Sequence, residues 1–236
     1  MANRTLSLVA AAAATVLLLG ISGAPAVAAG PTATALTAQA GQATFYEARG
    51  GGSTNGNCSF AKLPANNYYV ALGPKEYAAG ARCGSYIMVT GPKGSVRVVV
   101  MDKCPECGPN HLDLSKAAFA RIADVRDGLV PITWKTVKNP TVPAMSFRFK
   151  DGSSQWWFAL QVFDHGNQLR SLEVKVNGSW VKTKRVDYGY WIYQPGAGPG
   201  PYQVRVTDVF GQQKVVSGIT MKPMVVQQTT ARLYPG

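Results

Sequence analysis

From Gly41 onward the chain runs in short apolar stretches, each soon interrupted by glycine or proline, and such a texture restricts it to short strands joined by turns. Strands are expected near residues 42–46, 68–71, 85–90, 95–101 and 130–137, and again near 145–149, 157–163, 172–176, 190–193 and 202–207. Only two pieces read as helix. Pro74-Lys-Glu-Tyr-Ala places proline where a first helical turn accepts it, and Ser115 is a natural N-cap for a helix with Ala118, Phe119 and Ile122 on one face. The hydrophobic share of 46% excludes disorder, and 25 Gly and 15 Pro without a period exclude collagen-like and coiled-coil chains. The chain is all-β. Asn139-Pro-Thr-Val-Pro143 divides it, so two domains are expected, 41–138 and 143–236, with 139–142 as a short stiff linker.

The N-terminus has Arg4, an uncharged apolar stretch from Leu8 to Ile21, and small residues up to Ala29. This reads as a secretory signal peptide over 1–29, since the apolar run is shorter than the ~20 residues of a bilayer span. A low-complexity Ala/Thr spacer, 30–40, follows. The mature protein is expected outside the cell, as a monomer without a membrane partner. In that compartment Cys58, Cys83, Cys104 and Cys107 suggest two disulfides. Three pairings are open, and Cys58–Cys83 with Cys104–Cys107 is the expected one. A zinc site is not expected: there is no second C-x-x-C, and His111 and His165 are not at finger spacing. No metal or other cofactor is implied.

A formal charge of +12 predicts attraction to polyanions. For an exported chain without a nucleic-acid module, acidic wall polymers fit better than nucleic acid. Lys175, Lys182, Lys184 and Arg185 could hold such a polymer or form an ordinary solvated face.

Carboxylates are few. Asp102 closes an apolar strand and Asp113 stands just before the second helix. Two acids delivered into one groove is the arrangement glycoside hydrolysis uses, although an aspartate before a helix is also an ordinary cap. In the second half, adjacent Trp156 and Trp157 cannot both face one core if their strand is regular, so one is expected to be exposed. Trp180 and Trp191 are assigned to the core or its edge.

Several motifs, in order, resemble the first domain of expansins: Ala43-Thr-Phe-Tyr46, Asn57-Cys58, Ala81-Arg-Cys-Gly-Ser-Tyr86, Val100-Met-Asp102, His111-Leu-Asp-Leu-Ser-Lys-Ala-Ala-Phe119 and Gly128-Leu-Val-Pro-Ile-Thr-Trp134. Lys150-Asp-Gly-Ser-Ser-Gln-Trp-Trp157, Asp187-Tyr188 and Tyr202-Gln-Val-Arg-Val-Thr-Asp208 resemble the second domain of bacterial expansin-like proteins. The resemblance implies a six-stranded double-psi β-barrel joined to an immunoglobulin-like β-sandwich that binds carbohydrate. It also implies loosening of cell walls without hydrolysis, with cellulose, xyloglucan-like glucans and, through charge, acidic wall polymers or peptidoglycan as partners. Residue by residue, Asp113 matches the essential groove aspartate, Asp102 a second groove aspartate and Thr44 a groove threonine. Lys150, Trp156, Trp157 and Tyr188 match the polysaccharide-binding surface. One position departs: bacterial relatives carry a groove tyrosine two residues after the aspartate matching Asp102, and this chain has Cys104.

A second function class stays open, an endo-acting glycosidase or peptidoglycan-lytic enzyme. It would use Asp113 as acid and Glu47, directly after Tyr46, as base; otherwise Glu47 is a solvated turn residue. A structural or effector protein with a silent groove is the third.

Overall fold

The computed structural model describes Met1, residues 36–47 and residues 55–235. The expected signal peptide, the first part of the spacer and the glycine triplet 50–52 lie outside the described residues.

Strands β1 (Gln39–Tyr46), β2 (Tyr69–Leu72), β3 (Tyr86–Gly91), β4 (Gly94–Lys103), β5 (His111–Ser115) and β6 (Val130–Thr136) close into a double-psi barrel in the order β1-β5-β2-β4-β3-β6. The wall follows from alternation. In β6, Val130, Ile132, Trp134 and Thr136 are buried while Pro131, Thr133 and Lys135 are exposed. Two neighbouring pairs are parallel, β1 with β5 and β2 with β4, so the chain must cross over the barrel to make them. Helix α1 (Pro74–Tyr77) begins on its proline. Helix α2 (Lys116–Ile122) starts where Ser115 Oγ accepts from the Ala118 N–H at 3.2 Å, and it buries Ala118, Phe119 and Ile122 as expected.

Two details differ from the sequence reading. The segment around Asp113 is strand β5, because Leu112 and Leu114 alternate into the core with Asp113 between them. The adjoining helix signal hides so short an alternation. Strand β1 begins at Gln39, two residues before the expected domain start, because its pairing with β6 runs from Gln39 opposite Trp134.

The second unit is a β-sandwich. One sheet runs β10 (Ser179–Lys182), β9 (Leu169–Val176), β13 (Tyr202–Asp208), β14 (Gln213–Ile219); the other runs β11 (Lys184–Arg185), β12 (Trp191–Tyr193), β8 (Phe158–Phe163), β7 (Ser146–Phe149), β15 (Val226–Gln228). Phe147, Phe149, Phe158, Leu160, Leu172, Trp191 and Val204 fill the space between them. Strands β10, β11, β14 and β15 are short or mostly polar at the surface and carry little sequence signal. Trp191 is in this core, whereas Trp180 lies half-buried on edge strand β10 with Arg205 4.6 Å and Lys175 5.7 Å from its ring centre.

The five-stranded sheet turns its outer face to the barrel. Arg148, 1% exposed, donates to the Ser59 carbonyl and, at 3.0 Å, to Gln161 Oε1; Gln161 Nε2 donates to the Cys58 carbonyl at 2.6 Å. Phe60 meets Phe163 edge-on at 5.9 Å. His165 is also buried here; its Nδ1 is 2.7 Å from the Asn167 carbonyl, and burial pulls its pKa down to about 4. Gly84 has φ +75°, and a Cβ there would stand 2.4 Å from His165 Nε2, so the close approach requires glycine. The linker is pinned on both sides, with the Asn139 N–H donating to Asn167 Oδ1 at 2.7 Å and Arg97 Nη2 to the Thr141 carbonyl at 3.4 Å. Buried polar contacts of this kind couple two units into one cooperative structure. The protein is expected to melt in one calorimetric transition, and Arg148→Met combined with Gln161→Ala to split it in two. A single, merely shifted transition in the double variant would contradict this coupling.

Candidate functional site

Strand register builds the site. Asp102 on β4 stands opposite Ala71 on β2, Ala71 opposite Asp113 on β5, and Asp113 opposite Thr44 on β1. Four residues distant in sequence thus form one row across four adjacent strands. With strands about 4.8 Å apart, the aspartates are separated by about 10 Å of backbone, with only the methyl of Ala71 between them. Ala71 is 3% exposed and packs with Cys104, Cys107 and Tyr46. It gave no signal in the sequence, because its importance is its small size at that register.

Each aspartate is held differently. Asp102 is a hydrogen-bond hub: Oδ1 accepts from the Asn57 N–H at 2.6 Å and the Lys103 N–H at 2.8 Å, and Oδ2 accepts from the Tyr46 hydroxyl at 3.3 Å. Asp113 is half-buried, and its Oδ1 accepts from the Thr44 hydroxyl at 2.6 Å. Thr44 Oγ1 is also 2.9 Å from His111 Nε2. A hydroxyl has one hydrogen, so Thr44 donating to an ionised Asp113 accepts from the His111 Nε2–H, and the three form a relay. His111 heads the motif that holds Asp113 and stands two places before it on the same strand face. Among the described residues no group of three or more His, Cys, Asp or Glu is arranged to hold a metal ion.

Tyr46 follows Thr44 on the same face of β1 while Phe45 turns inward to pack on Phe119 at 5.0 Å. Burial, reinforced by the Asp102 charge, pushes the Tyr46 phenol far above its ordinary value, so it serves as a donor. Beneath it lies the Cys104–Cys107 disulfide; the other disulfide joins Cys58 to Cys83. Cys104 is 5% exposed and packs with Ala71 and Tyr46. Glu47 is exposed, and its Oε1 is 3.5 Å from Lys116 Nζ at the start of α2.

The remaining candidates lie on the sandwich. Lys150 continues the β7–β8 pairing, its N–H donating to the Ala159 carbonyl at 3.0 Å, and Ala159 stands opposite Ile192 on β12. This row follows the Arg148–Gln161 pair that meets the barrel, on the same outer face. Ser154 and Trp157 close a tight turn with N–H to carbonyl distances of 2.9 and 3.2 Å, which lifts Trp156 to 73% exposure and leaves Trp157 half-buried. The tryptophans therefore belong to a turn, and β8 starts after them. Gly196 clamps that turn: φ is +77°, and a Cβ would lie 2.1 Å from the Gln155 carbonyl oxygen. Tyr188 is half-buried in the β11–β12 loop, its ring centre 6.0 Å from that of Tyr190. The preceding Asp187 carbonyl accepts from the Tyr77 hydroxyl and, at 3.2 Å, from Asn57 Nδ2.

Burial pushes the Asp113 carboxyl above its ordinary value; the Thr44 hydrogen bond and the His111 charge pull it down, while Glu106 and Asp102 push it up further. A carboxyl whose pKa is raised by folding binds its proton more readily in the native state, so it opposes folding above the folded pKa and ceases to do so below the unfolded one. Asp113→Asn is therefore expected to raise Tm at neutral pH, with the gain shrinking as pH falls through the raised native pKa and gone once pH is below the ordinary aspartate value. A gain that grows on acidification would overturn this assignment.

The family model described as "Lytic transglycolase" matches residues 38–134. Over 198 residues the chain is 34% identical to Expansin-YoaJ of Bacillus subtilis, covering 82% of each chain. It is 34% identical over 186 residues to Expansin-like protein 5 of Dictyostelium discoideum, covering 72% of this chain and 74% of that one. The crystal structure of apo Clavibacter michiganensis expansin superposes with a TM-score of 0.82 at 42% identity, covering 85% of this chain and all of that one. A point mutant of the Clavibacter protein, in complex with cellohexaose, superposes equally well at 41% identity. With the closed barrel, the sandwich and the aspartate row in place, this similarity along both units makes the chain a member of the expansin family.

Proposed function

We propose that this protein is secreted and binds cellulose and related wall glucans, loosening the wall without cutting its polymers. The open end of the sandwich sheet docks on glucan through Trp156, Trp157 and Tyr188, with Lys150 beside them, while the barrel groove engages a strand through Asp113, Thr44 and Asp102. The observation that carries the reading is the asymmetry of the groove. Asp113 is half-buried, with its pKa raised chiefly by burial, whereas Asp102 accepts three hydrogen bonds and Glu47 stands exposed beside Lys116. Hydrolysis with inversion needs a second carboxyl free to activate water roughly 6.5–9.5 Å from the acid. The Asp113 carboxyl can instead exchange hydrogen bonds with glucan hydroxyls and compete with those between glucan chains. Similarity to the Clavibacter expansin, a point mutant of which is in complex with cellohexaose, supports the substrate class.

Stacking is weak by design of the surface. A ring that loses about 60 Å² of water contact gains ~1.5 kcal/mol, and association costs remove much of the total. Affinity is expected in the micromolar to millimolar range, suited to a protein that moves along a wall. The charge of +12 adds a salt-sensitive attraction to acidic wall polymers.

The alternative, endo-acting cleavage with Asp113 as acid and Glu47 as base, draws on the raised Asp113 and the lytic transglycolase match. One experiment separates the two: soluble products from amorphous cellulose, xyloglucan and peptidoglycan, measured beside cellulose retention and creep of a clamped wall strip. Creep without products, abolished in Asp113→Asn, is expected, with retention lowered about tenfold in Trp156→Ala. New reducing ends that vanish in both Asp113→Asn and Glu47→Gln would replace this reading with hydrolysis.

A further inference from the structure

One loop touches both candidate surfaces. Residues 55–60 form a small hairpin, with Asn55 and Phe60 exchanging backbone hydrogen bonds at 2.8 and 2.9 Å, and the Cys58 N–H donating to the Met101 carbonyl at 3.0 Å. At its tip Asn57 faces two ways. Its backbone N–H donates to Asp102 Oδ1 at 2.6 Å, and its side-chain Nδ2 donates to the Asp187 carbonyl at 3.2 Å and to the Tyr77 hydroxyl at 2.9 Å. Tyr77, 1% exposed, donates to the same Asp187 carbonyl, and its oxygen is 3.1 Å from Cys83 Sγ. The residue after Asp187 is Tyr188.

We propose that Asn57 is a positioning residue that holds the barrel groove and the sandwich face in register, tying the Asp102 carboxylate to the loop that carries Tyr188. This rests on the glucan-binding reading above. Docking of the units has independent support, because Arg148 and Gln161 donate to the Ser59 and Cys58 carbonyls whatever side chain stands at 57. The backbone bond to Asp102 also survives truncation. What the Asn57 amide adds is the fixed offset between an acid in the groove and a ring on the sheet. Only a ligand long enough to meet both surfaces senses that offset.

The test compares cellotriose with cellohexaose by calorimetry, alongside retention on amorphous cellulose and melting, for the full mature chain and for Asn57→Ala, Asn57→Gln and Tyr77→Phe. In the unaltered protein the longer oligosaccharide is expected to bind more tightly, and equal affinities would also overturn the proposal. In Asn57→Ala and Tyr77→Phe that preference is expected to fall at least about fivefold, while cellotriose affinity stays within about twofold. Cellulose retention is expected to fall together with cellohexaose affinity, the melting transition to stay near that of the unaltered protein, and Asn57→Gln, which keeps an amide donor, to recover part of the preference. An unchanged length preference in Asn57→Ala overturns the proposal. So does a loss of both affinities together with early melting, which marks a role in folding alone. Failure of the glucan reading itself is seen elsewhere, in an unaltered protein that binds neither oligosaccharide nor cellulose.

Discussion

A buried guanidinium organises the molecule. Arg148 is almost fully covered, and a cation taken out of water must have its donors met or the structure is penalised by several kcal/mol. The Ser59 carbonyl and Gln161 Oε1 accept from it, and the rings of Phe163 and Tyr190 lie 5.4 and 6.0 Å from its centre. One of these partners belongs to the barrel and the rest to the sandwich, so the charge is satisfied only while the units are docked. Docking buries Arg148 and Gln161 on the five-stranded face, while Trp156 in the Ser154–Trp157 turn stays 73% exposed.

The barrel supplies the second constraint. Parallel pairing of β1 with β5 and of β2 with β4 brings Thr44, Ala71, Asp102 and Asp113 into one row. The chain has only 12 acidic residues, and two of them meet across one alanine. Repulsion between them is contained by unequal treatment, since Asp102 is surrounded by donors while Asp113 has one donor and partial burial. Two carboxyls in one row are thereby held in different environments, the condition under which paired acids take different tasks.

Cysteine in place of a groove tyrosine changes the material of the groove floor. At that position the Cys104–Cys107 disulfide packs against Tyr46 and Ala71. Tyr46 then supplies the aromatic surface here, with its hydroxyl turned to Asp102 and its ring edge-on to Tyr69 at 5.6 Å.

Local signals carried much of this in the sequence. Alternating short runs bounded by glycine and proline dictate strands, Ser115 caps its helix, and motif order along the chain pointed to the family and to Asp113, Asp102 and Thr44. These depend on neighbours a few residues away or on spacing along the chain, which a linear text preserves. Strand β5 was masked because five residues of alternation abut a helix start. Ala71 carried no signal, and His111 and Asn57 stood within family motifs with no role attached, since an alanine, a histidine and an asparagine acquire meaning from what stands opposite them. The exposure of Trp156 depends on a turn that Gly196 clamps from 40 positions away. Sequence fixes which way a residue leans on its own strand; which strands become neighbours, at what offset, and which face is covered by docking is settled only when the whole chain closes, because hydrogen-bond register and burial are properties of pairs of distant segments.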